Sequence, residues 1–389
     1  MSGALPQRAR LLLLTRNLPP LQGGMERLNW HLLQQLQRVA DVQTVGPQGA
    51  AALAPPGASL REAPLRPLWR FMLGALWHTL ALGMRYRPNI YLAGSGLTAP
   101  PVWLASRLFG GRCVGYLHGL DISVDNAVYR RLWLPVLRRL DRVVVNSRAT
   151  ATLAIEAGIA PARIHIVHPG TTLPGLPDAD RRAADARAFR QRHGLGTGPI
   201  MLSVGRLTRR KGLLEFVRDE LPRVLESHPQ ATLVVVGGVA NQALGSEALS
   251  PAQVLASAPP AAREQVRFLG ELSDEELSIA MHTSTVHVFP VRSHPTDPEG
   301  FGMVAIEAAA HGLGTVAYAS GGVADAVADG ISGALVEPGD SIGFARAVVR
   351  AIGAPLPAAP MQAFATGFGW DAFGRQIRDV LGLASNHEQ

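Results

Sequence analysis

Short apolar runs alternate with amphipathic stretches along the first part of the chain. The apolar run within Arg10–Thr15 predicts a buried strand. After the loop Arg16–Gly24, apolar residues at helical spacing predict a helix over Met25–Arg38. Further strands, several of them separated by helical patterns, are predicted at Val42–Val45, Ile90–Leu92, Arg112–Tyr116, Arg142–Val145 and Ile164–Val167. This repetition of strand and helix predicts a parallel sheet that is covered on both faces.

The same pattern starts again after a stretch rich in Pro and Gly. Residues 172–197 combine these turn residues with an Arg/Ala/Asp segment, which predicts an interdomain connection that includes a short helix. The later strands are predicted at Pro199–Val204, Thr232–Val236, Val266–Leu269, Val286–Pro290, Thr315–Ala319 and Gly333–Val336. A terminal helix is predicted over residues 371–383. The sequence therefore predicts an α/β protein of two Rossmann-like, doubly wound domains, with ligands at the carboxyl ends of the strands.

Length and composition agree with this organisation. Domains typically contain ~100–200 residues, so 389 residues suit two of them. The predicted boundaries are 1–172 and 199–370 for the domains, 173–198 for the connection, and 371–389 for the terminal helix and tail. Apolar residues make up 47% of the chain and charged residues 17%, which is typical of a globular protein with a large core. The single cysteine, Cys113, excludes an internal disulfide.

No secretory signal is recognised, and the longest apolar run without a formal charge is Phe71–Met84. It is shorter than the ~20 residues that a membrane-spanning helix requires. Two interpretations remain open for it. It can be a core helix, or an interfacial helix anchored by the neighbouring basic and aromatic residues Arg66, Arg70, Arg85, Arg87, Trp69 and Trp77.

Charge is divided unequally between the two halves. Residues 1–195 contain 24 arginines and 10 acidic residues, a formal charge of +14, whereas residues 196–389 carry −7. A half this basic favours a polyanionic partner, although an arginine excess can also reflect genomic base composition. No helix-turn-helix, zinc-finger or RNA-binding aromatic motif is found, so nucleic acid is not the expected partner.

One predicted turn concentrates the cations suited to a diphosphate. Strand Pro199–Val204 ends in Gly205-Arg206-Leu207, and Arg209-Arg210-Lys211-Gly212 follows before a helix. Lys211 is the only lysine, and the 36 other basic residues are arginines. A planar guanidinium and a compact ammonium are complementary ligands for phosphate oxygens. Arg206 and Lys211 are therefore candidate ligands for a diphosphate.

A second element places two carboxylates eight residues apart. In Glu299-Gly300-Phe301-Gly302-Met303-Val304-Ala305-Ile306-Glu307, the glycines allow close approach of the backbone to a ligand. Glu307 is predicted to lie in a helix whose N-terminus favours an anion. Carboxylates bind pairs of sugar hydroxyls, and the nearby cations favour that role over the two-carboxylate chemistry of a glycosidase.

Together these motifs resemble the family 4 retaining glycosyltransferases of the GT-B fold. The resemblance includes the E-x7-E element, the Arg-Lys-Gly turn and three further segments in the same order along the chain. These are Gly23-Gly24-Met25-Glu26-Arg27, Asn146-Ser147, and Gly321-Gly322 with Asp329-Gly330 and Pro338-Gly339-Asp340. It implies a nucleotide-sugar donor in the cleft between two domains, an acceptor on the N-terminal domain, and a C-terminal helix that returns to that domain.

The resemblance also implies residue roles. Arg206 and Lys211 would neutralise the donor diphosphate, Glu307 would bind ribose, and Glu299 and His118 would contact the transferred sugar. The implied catalytic residues are His118, Arg206, Lys211 and Glu299. The implied donor-binding residues are Gly23, Gly24, Arg206, Lys211, Glu299, Gly300, Phe301, Gly302, Met303, Val304 and Glu307.

Two departures from the family pattern leave the base and the sugar of the donor open. Arg292, Ser293, His294 and Asp297 extend the segment before Glu299, and the Gly321-Gly322 turn leads to Asp325 rather than to the usual glutamate. Neither a metal nor a cofactor is expected, because the sole Asp-x-Asp, Asp178-Ala179-Asp180, lies in the predicted connection and not at a strand end. A nicotinamide oxidoreductase is disfavoured, since Arg16–Gly24 lacks the G-x-G-x-x-G spacing.

The expected donor is a GDP- or UDP-sugar, of mannose type by family, and the expected acceptor is a lipid-linked or saccharide molecule of bacterial surface-polysaccharide synthesis. A GT-B-like epimerase, a glycosyl phosphorylase and a non-catalytic binding protein remain alternatives. The expected location is cytoplasmic, on an anionic inner leaflet. A helix predicted over Val128–Leu140 would contribute to docking through Arg130, Arg131, Arg138, Arg139 and Arg142, with Trp133, Leu134 and Leu137 available to pack or insert.

Overall fold

The chain forms two compact α/β units. A computed structural model describes residues 8–124, 126–175, 177–239, 247–292 and 298–383. One unit comprises residues 1–170 and 370–389, and the other comprises residues 171–369. Each unit contains one sheet in which every described strand pairs in parallel with its neighbours. The predicted α/β class with parallel sheets is confirmed.

The first unit begins with strand, helix and strand, as the hydrophobic pattern predicts. Its strands are β1 (Ala9–Leu14), β2 (Ala40–Pro47), β3 (Ser59–Ala63), β4 (Ile90–Ala93), β5 (Arg112–Leu117), β6 (Arg142–Val145) and β7 (Ile164–Ile166). Its helices before the second unit are α1 (Gly24–Gln37), α2 (Leu68–Tyr86), α3 (Ala99–Phe109), α4 (Leu120–Ser123), α5 (Ala127–Leu132), α6 (Leu134–Leu137) and α7 (Arg148–Glu156). Within the described residues the strand order is β3-β2-β1-β4-β5-β6-β7.

Strand β1 shows why the sheet is buried on both faces. Successive side chains of a strand point to opposite faces. Leu12 and Leu14 accordingly pack in the core beneath α2 and α3, whereas Leu11 and Leu13 pack against apolar residues of α1. All four leucines are fully buried. The uninterrupted apolar run therefore reflects helices on both sides of a central strand.

Two local predictions in this unit were incomplete or wrong. Strand β3 was not predicted, because its sequence is mostly polar and it lies at the sheet edge, beside β2 alone. The single helix predicted over Val128–Leu140 is instead two short helices, α5 and α6. Pro135 explains the break, since proline has no N–H to donate to the carbonyl group four residues earlier.

Helix α2 is apolar on two faces. Phe71, Ala75 and Leu82 are buried in the core, but Trp69 and Trp77 are 60% and 72% exposed. Leu73 and Met84 are also exposed. Taken singly, none of the helices in the described parts of the chain has the length and apolar composition needed to cross a membrane; the pair Ser341–Gly353 and Ala358–Thr366, bent by 113° at its break, passes that test together.

The second unit repeats the strand-and-helix pattern. Its strands are β8 (Ile200–Val204), β9 (Thr232–Val236), β10 (Val266–Gly270), β11 (Val286–Phe289), β12 (Thr315–Tyr318) and β13 (Gly333–Val336). Its helices are α8 (Ala179–Arg192), α9 (Leu213–Glu215), α10 (Leu221–Ser227), α11 (Pro251–Ser257), α12 (Pro260–Arg263), α13 (Asp274–Thr283), α14 (Met303–Ala310), α15 (Val323–Ala326), α16 (Ser341–Gly353) and α17 (Ala358–Thr366). A π-helical turn, Phe216–Glu220, joins α9 to α10. Among the described residues the strand order is β10-β9-β8-β11-β12-β13.

Residues 173–198, predicted as a connection, lie in the second unit. Helix α8 packs against α13, and Phe189 joins the core with Leu195 and Ile200. The Asp178 side chain caps α8 by accepting a hydrogen bond from the Arg181 N–H at 2.8 Å. Asp178, the first residue of the sole Asp-x-Asp sequence, therefore has a structural role as a helix cap.

The chain returns to the first unit through helix α18 (Trp370–Leu381). Phe373, Ile377 and Leu381 complete the core on the α1 face of the sheet. The Arg112 guanidinium donates a hydrogen bond to the Leu381 carbonyl group at 2.9 Å, and Arg142 donates to that of Val380. Two strand residues thus cap the C-terminus of α18, and the predicted return of the terminal helix is confirmed.

Candidate active site

The Arg-Lys-Gly turn lies at the carboxyl end of β8, where the sequence predicts it. Gly205 has φ +147°, and a side chain at Gly237, after β9, would overlap the Gly205 carbonyl oxygen. Residues Arg209–Lys211 form one 3-10 turn, and Gly212 follows in a left-handed conformation. These glycines let the turn lie against the ends of the neighbouring strands.

Lys211 and Glu299 are in direct contact. The Lys211 Nζ lies 2.8 Å from Glu299 Oε2, and the Arg210 guanidinium binds the same oxygen. The side chains of Lys211 and Glu299 are 15% and 11% exposed. The Lys211 ammonium also lies over the Phe289 ring, 4.7 Å from its centroid. Cations from the turn after β8 and the carboxylate from the segment after β11 therefore meet at one nearly buried point.

Electrostatics keep this carboxylate ionised. Burial by itself raises the pKa of the Glu299 carboxyl group, but the charges and hydrogen bonds of Lys211 and Arg210 lower it to about 2. Burial lowers the pKa of the Lys211 ammonium, against the raising effect of Glu299. An anion of higher charge, such as a diphosphate, can compete with Glu299 for these cations.

Arg206 and Arg210 occupy different positions around Lys211. Arg206 is partly exposed, and its charge contributes to lowering the pKa of Lys211. Arg210, rather than Arg206, pairs with Glu299. The sequence reasoning missed this role of Arg210, although the residue stands inside the motif. Arg210 and Glu299 lie 89 residues apart in the sequence, so no local pattern predicts their contact.

The glycine turn after β12 supports the segment that carries Glu299. The Gly322 N–H donates to the Glu299 carbonyl group at 2.9 Å, and a side chain at Gly322 would overlap the Gly300 carbonyl oxygen. Phe301 is buried against a core that includes Phe289. The Gly321-Gly322 motif thus fixes the backbone of the first glutamate of E-x7-E.

Helix α14 carries the second glutamate. Gly302, with φ +101°, precedes the helix, and Met303 and Val304 pack their side chains against the core. Glu307 lies just over one turn into the helix and is half-buried. Its carbonyl group accepts a hydrogen bond from His311 Nδ1 at 2.7 Å. The Glu307 side chain and the first N–H groups of α14 are therefore on one short element directly after Glu299.

The other sequence features near this site have structural partners. Asp329 Oδ1 accepts from the Leu335 N–H at 2.9 Å, and Asp340 caps α16 through the Gly343 N–H at 2.8 Å. Asp325 lies in the short helix α15 and is half-buried. Ser293, His294 and Asp297 lie outside the described residues, whereas Arg292 is described and pairs with Glu220.

The remaining candidates belong to the first unit. His118 follows β5 and is 6% exposed, and its Nε2 lies 2.9 Å from the Gly94 carbonyl oxygen. Since a carbonyl oxygen can only accept a hydrogen bond, this contact requires a proton on Nε2. The His118 N–H donates to Asp121 Oδ2 at 3.0 Å. The ring is thus held at the carboxyl end of a central strand.

Gly23 and Gly24 begin helix α1. Gly23 has φ +152°, and its carbonyl group accepts the Arg27 N–H at 3.1 Å. Gly23 borders a cavity of about 350 Å³, whose lining residues are Pro19, Leu21, Gln22, Gly23, Glu26, Arg27 and Trp30. Asn17 Nδ2 donates to Glu26 Oε1 at 2.8 Å, which fixes the carboxylate at the cavity. The exposed surface of the cavity is mostly apolar.

Comparison with known proteins identifies the family of the chain. Residues 185–362 match the family model for glycosyl transferases group 1, and residues 22–173 match that for glycosyltransferase family 4. The chain is 30% identical to D-inositol 3-phosphate glycosyltransferase 1 of Catenulispora acidiphila, over 95% of this chain and 94% of that protein. It is also 30% identical to the GDP-mannose-dependent alpha-(1-6)-phosphatidylinositol monomannoside mannosyltransferase of Mycolicibacterium smegmatis, over 90% of this chain and 91% of the relative.

Solved structures show the same fold. Anabaena HepE, in complex with UDP and glucose, matches with a TM-score of 0.75 and 20% identity, over 96% of this chain and 99% of that chain. The lipopolysaccharide outer core galactosyltransferase WaaB matches with a TM-score of 0.70 and 13% identity, over 96% of this chain and 99% of that chain.

Two parallel-sheet units, with cations and carboxylates at the carboxyl ends of the second sheet, define the class as a nucleotide-sugar-dependent hexosyltransferase of the GT-B fold. The chain belongs to glycosyltransferase family 4, within glycosyl transferases group 1. Glycosyl transfer is thereby favoured over the epimerase, phosphorylase and non-catalytic alternatives.

Proposed function

We propose that this enzyme transfers a hexose, with a mannose-type donor favoured, from a GDP- or UDP-sugar to a lipid-linked or saccharide acceptor in bacterial surface-polysaccharide or glycolipid synthesis. The observation that carries the proposal is the convergence of Arg210, Lys211 and Glu299 at the ends of β8 and β11. The two relatives named above, which act on inositol-containing acceptors by name, favour an anionic or lipid-linked acceptor.

The ion pair of Lys211 with Glu299 would be exchanged when the donor binds. Its diphosphate would take the place of the Glu299 carboxylate at Lys211, and Arg206 would bind the same group from its partly exposed position. Glu299 would then be released toward the sugar hydroxyls, while Glu307 would bind ribose. Phe301, Gly302, Met303 and Val304 would line the donor through their backbone.

Charge stabilisation is the main chemical task of such a site. As the bond from the sugar C1 to the diphosphate breaks, negative charge grows on the leaving phosphate and positive character on the sugar ring. Arg206, Lys211 and the N-terminus of α14 would stabilise that phosphate, and removal of one such donor costs about 3–4 kcal/mol of barrier. Transfer would retain the anomeric configuration, with the leaving phosphate as the base for attack from the same face.

Groups of the first unit would serve the sugar and the acceptor. The His118 ring is fixed by its contact with the Gly94 carbonyl group and would contact the transferred sugar. Gly23 and Gly24 would close on the phosphate, beside the cavity that contains Glu26. Neither a metal nor another cofactor is included in this proposal, because Arg206 and Lys211 supply positive charge and Asp178 is occupied as a helix cap.

One assay tests the proposed function. Release of nucleoside diphosphate would be followed for a panel of GDP- and UDP-sugars, with and without lipid-linked and saccharide acceptors. Release that depends on an acceptor supports transfer, and NMR of the product anomer tests retention. Rapid release that is indifferent to every acceptor would point to hydrolysis, and an inverted anomer would contradict the proposed stereochemistry.

We propose further that the first unit docks on an anionic inner leaflet of the plasma membrane. Helix α2 exposes Trp69, Leu73, Trp77 and Met84 and contains no acidic residue. Arg66, Arg70, Arg85 and Arg87 are exposed around this stripe. Arginine side chains bind anionic lipid headgroups, and tryptophan side chains insert at the membrane–water interface. The first unit as a whole contains 21 arginines and 10 acidic residues.

The arginine cluster that extends from α5 to the start of β6 contributes less than the sequence predicts. Arg130, Arg131, Arg138 and Arg139 are exposed, but Arg142 is half-buried and binds the Val380 carbonyl group. Leu137 is buried, and Trp133 Nε1 donates to the Leu97 carbonyl group at 2.9 Å. These apolar side chains pack against the unit, so α2 is the element proposed to insert.

Liposome co-sedimentation tests the docking surface. Binding should increase with anionic lipid and decrease with salt, since such attraction is screened over about 8–10 Å. The double variant Trp69→Ser/Trp77→Ser should lose binding, whereas Ile331→Ser, which removes an exposed apolar residue of the second unit, should retain it. Equal, negligible pelleting with neutral and anionic liposomes at low salt would contradict docking.

A further inference from the structure

A buried ionic contact lies directly behind the Arg-Lys-Gly turn. Glu220 ends the π-helical turn and is 0% exposed. Its Oε1 accepts hydrogen bonds from Arg292 Nη2 at 2.5 Å and from Tyr318 Oη at 2.6 Å. The Arg292 guanidinium also lies over the Tyr318 ring, 4.5 Å from its centroid. A fully buried carboxylate is costly unless paired, so this cluster of Glu220, Arg292 and Tyr318 requires an explanation.

The cluster joins the ends of three strands. Glu220 belongs to the helical segment that follows the turn after β8, Arg292 follows β11, and Tyr318 ends β12. These are the strands whose carboxyl ends carry the donor-site motifs. A short π-helical turn inside a helix is itself uncommon and is frequently found at functional sites.

Backbone contacts transmit the position of Arg292 to the cations. The Arg292 N–H donates to the Arg210 carbonyl group at 2.9 Å. A side chain at Gly212 would overlap the Pro290 carbonyl oxygen, so the turn lies directly on the segment Pro290–Arg292. The Arg292 backbone therefore fixes the backbone of the turn that carries Arg210 and Lys211. Glu220 and Tyr318 in turn fix the Arg292 side chain.

We infer that Glu220, Arg292 and Tyr318 are positioning residues that set the Arg210–Lys211 turn for the donor diphosphate. The inference rests on the proposed function, because it assigns the turn to phosphate binding. Arg292 acts through its backbone, whose N–H binds the Arg210 carbonyl group, while its Nη2 binds Glu220 and its guanidinium lies over the Tyr318 ring. The cluster supplies no atom to the donor. Loss of Glu220 would release Arg292 and let the turn move away from the phosphate position.

Conservative variants keep the inference testable. Glu220→Gln retains the shape and one acceptor oxygen but removes the charge, and Tyr318→Phe removes one hydroxyl group. The matched controls are Glu226→Gln, an exposed glutamate on α10, and Tyr91→Phe, a buried tyrosine of the first unit. Glu220→Ala is less informative, because an unpaired buried Arg292 can prevent folding.

Nucleotide affinity provides the first readout. Calorimetry would compare GDP with GMP and UDP with UMP. Glu220→Gln should weaken diphosphate binding at least tenfold and monophosphate binding by less than threefold, because the second phosphate depends most on the turn. Tyr318→Phe should show the same selectivity with a smaller loss. Unchanged affinity, or equal losses for mono- and diphosphate, would overturn the inference.

Amide hydrogen exchange of residues 209–212 provides a second readout that needs no nucleotide. Exchange at Lys211 and Gly212, whose N–H groups bind the carbonyl groups of Thr208 and Arg209, should be at least tenfold faster in Glu220→Gln than in Glu226→Gln. Unchanged exchange at these amides would overturn the inference. A wild-type chain that binds neither diphosphate would contradict the proposed function alone, and the exchange experiment would still decide the role of Glu220.

Discussion

Lys211 Nζ lies 2.8 Å from Glu299 Oε2, so the only ammonium side chain of the chain is bound by the carboxylate that the family resemblance assigns to the sugar. The two residues come from segments after different strands, β8 and β11. Because Arg210 also binds Glu299, two cations share one carboxylate and the site keeps a net positive charge. The contact also means that each residue, when substituted, changes the environment of the other.

Loss of a donor-phosphate cation should strongly reduce turnover. Lys211→Ala and Arg206→Ala should each lower kcat/KM by about 100-fold or more, because each removes charge stabilisation of the leaving phosphate. Lys211→Arg should also be impaired, since a planar guanidinium does not replace a compact ammonium at a nearly buried position. Steady-state kinetics measure this, with the exposed Arg209→Ala as the control. Near-wild-type turnover of Lys211→Ala would remove Lys211 from the site.

The two glutamates should separate binding from transfer. Glu307→Ala should weaken the binding of free nucleoside diphosphate, because it removes the proposed ribose ligand. Glu299→Ala should leave that affinity unchanged or increase it, since Lys211 and Arg210 lose the carboxylate that competes with phosphate, while transfer falls. Calorimetry with GDP and UDP measures the first effect and kinetics the second. Equal affinity losses in both variants would mean that the division of roles is wrong.

Chelation should leave the enzyme active. Arg206 and Lys211 are proposed to carry the charge that a divalent ion carries in other transferases. Transfer rates measured before and after EDTA treatment and dialysis should therefore agree, with a metal-dependent transferase treated in parallel as the control. Complete loss of activity, restored by a divalent cation, would contradict this proposal.

Acid should destabilise the first unit partly through His31. Its ring stacks on Trp370 with centroids 3.8 Å apart, and burial lowers its pKa to about 4. The unfolded residue has a pKa of about 6.5, so its contribution to stability is complete above that pH and is lost as the pH falls toward 4. His31→Phe should flatten the fall in unfolding free energy over this range, measured by denaturant titration. Trp103→Phe, on α3 of the same unit, should keep the wild-type slope; a wild-type slope in His31→Phe would exclude the effect.

The arginine caps should hold helix α18 in place. Arg112→Met removes a charged hydrogen bond to the Leu381 carbonyl group, a loss of about 1.5–3 kcal/mol. Hydrogen exchange of amides 370–381 should become faster, and the free energy of unfolding should fall. Arg61→Met, on the exposed edge strand β3, serves as the control for loss of an arginine. Unchanged exchange in α18 would show that apolar packing alone holds this helix.

The limits of prediction at the donor site follow from the range of each interaction. Glu299 and Lys211 could be predicted because each lies in a short motif whose other residues, including its glycines, are its neighbours in sequence. The pairing of Arg210 with Glu299 could not be predicted, because it needs the relative position of two strand ends. Glu220 was missed for the same reason: in sequence it is one acidic residue on an ordinary amphipathic helix.

The sequence by itself determined which segments form the central strands of each sheet. It also determined the repetition of the α/β pattern and the motifs at the ends of β8 and β11. These features depend on period-two burial, helical spacing and turn chemistry, which operate over a few residues. The break at Pro135 follows a local rule that the sequence already contains. Only the tertiary structure decided that polar β3 pairs at an edge and that Tyr318 meets Glu220 across 98 residues. Strand order and helix packing place such distant residues together, and a local pattern contains no record of that order.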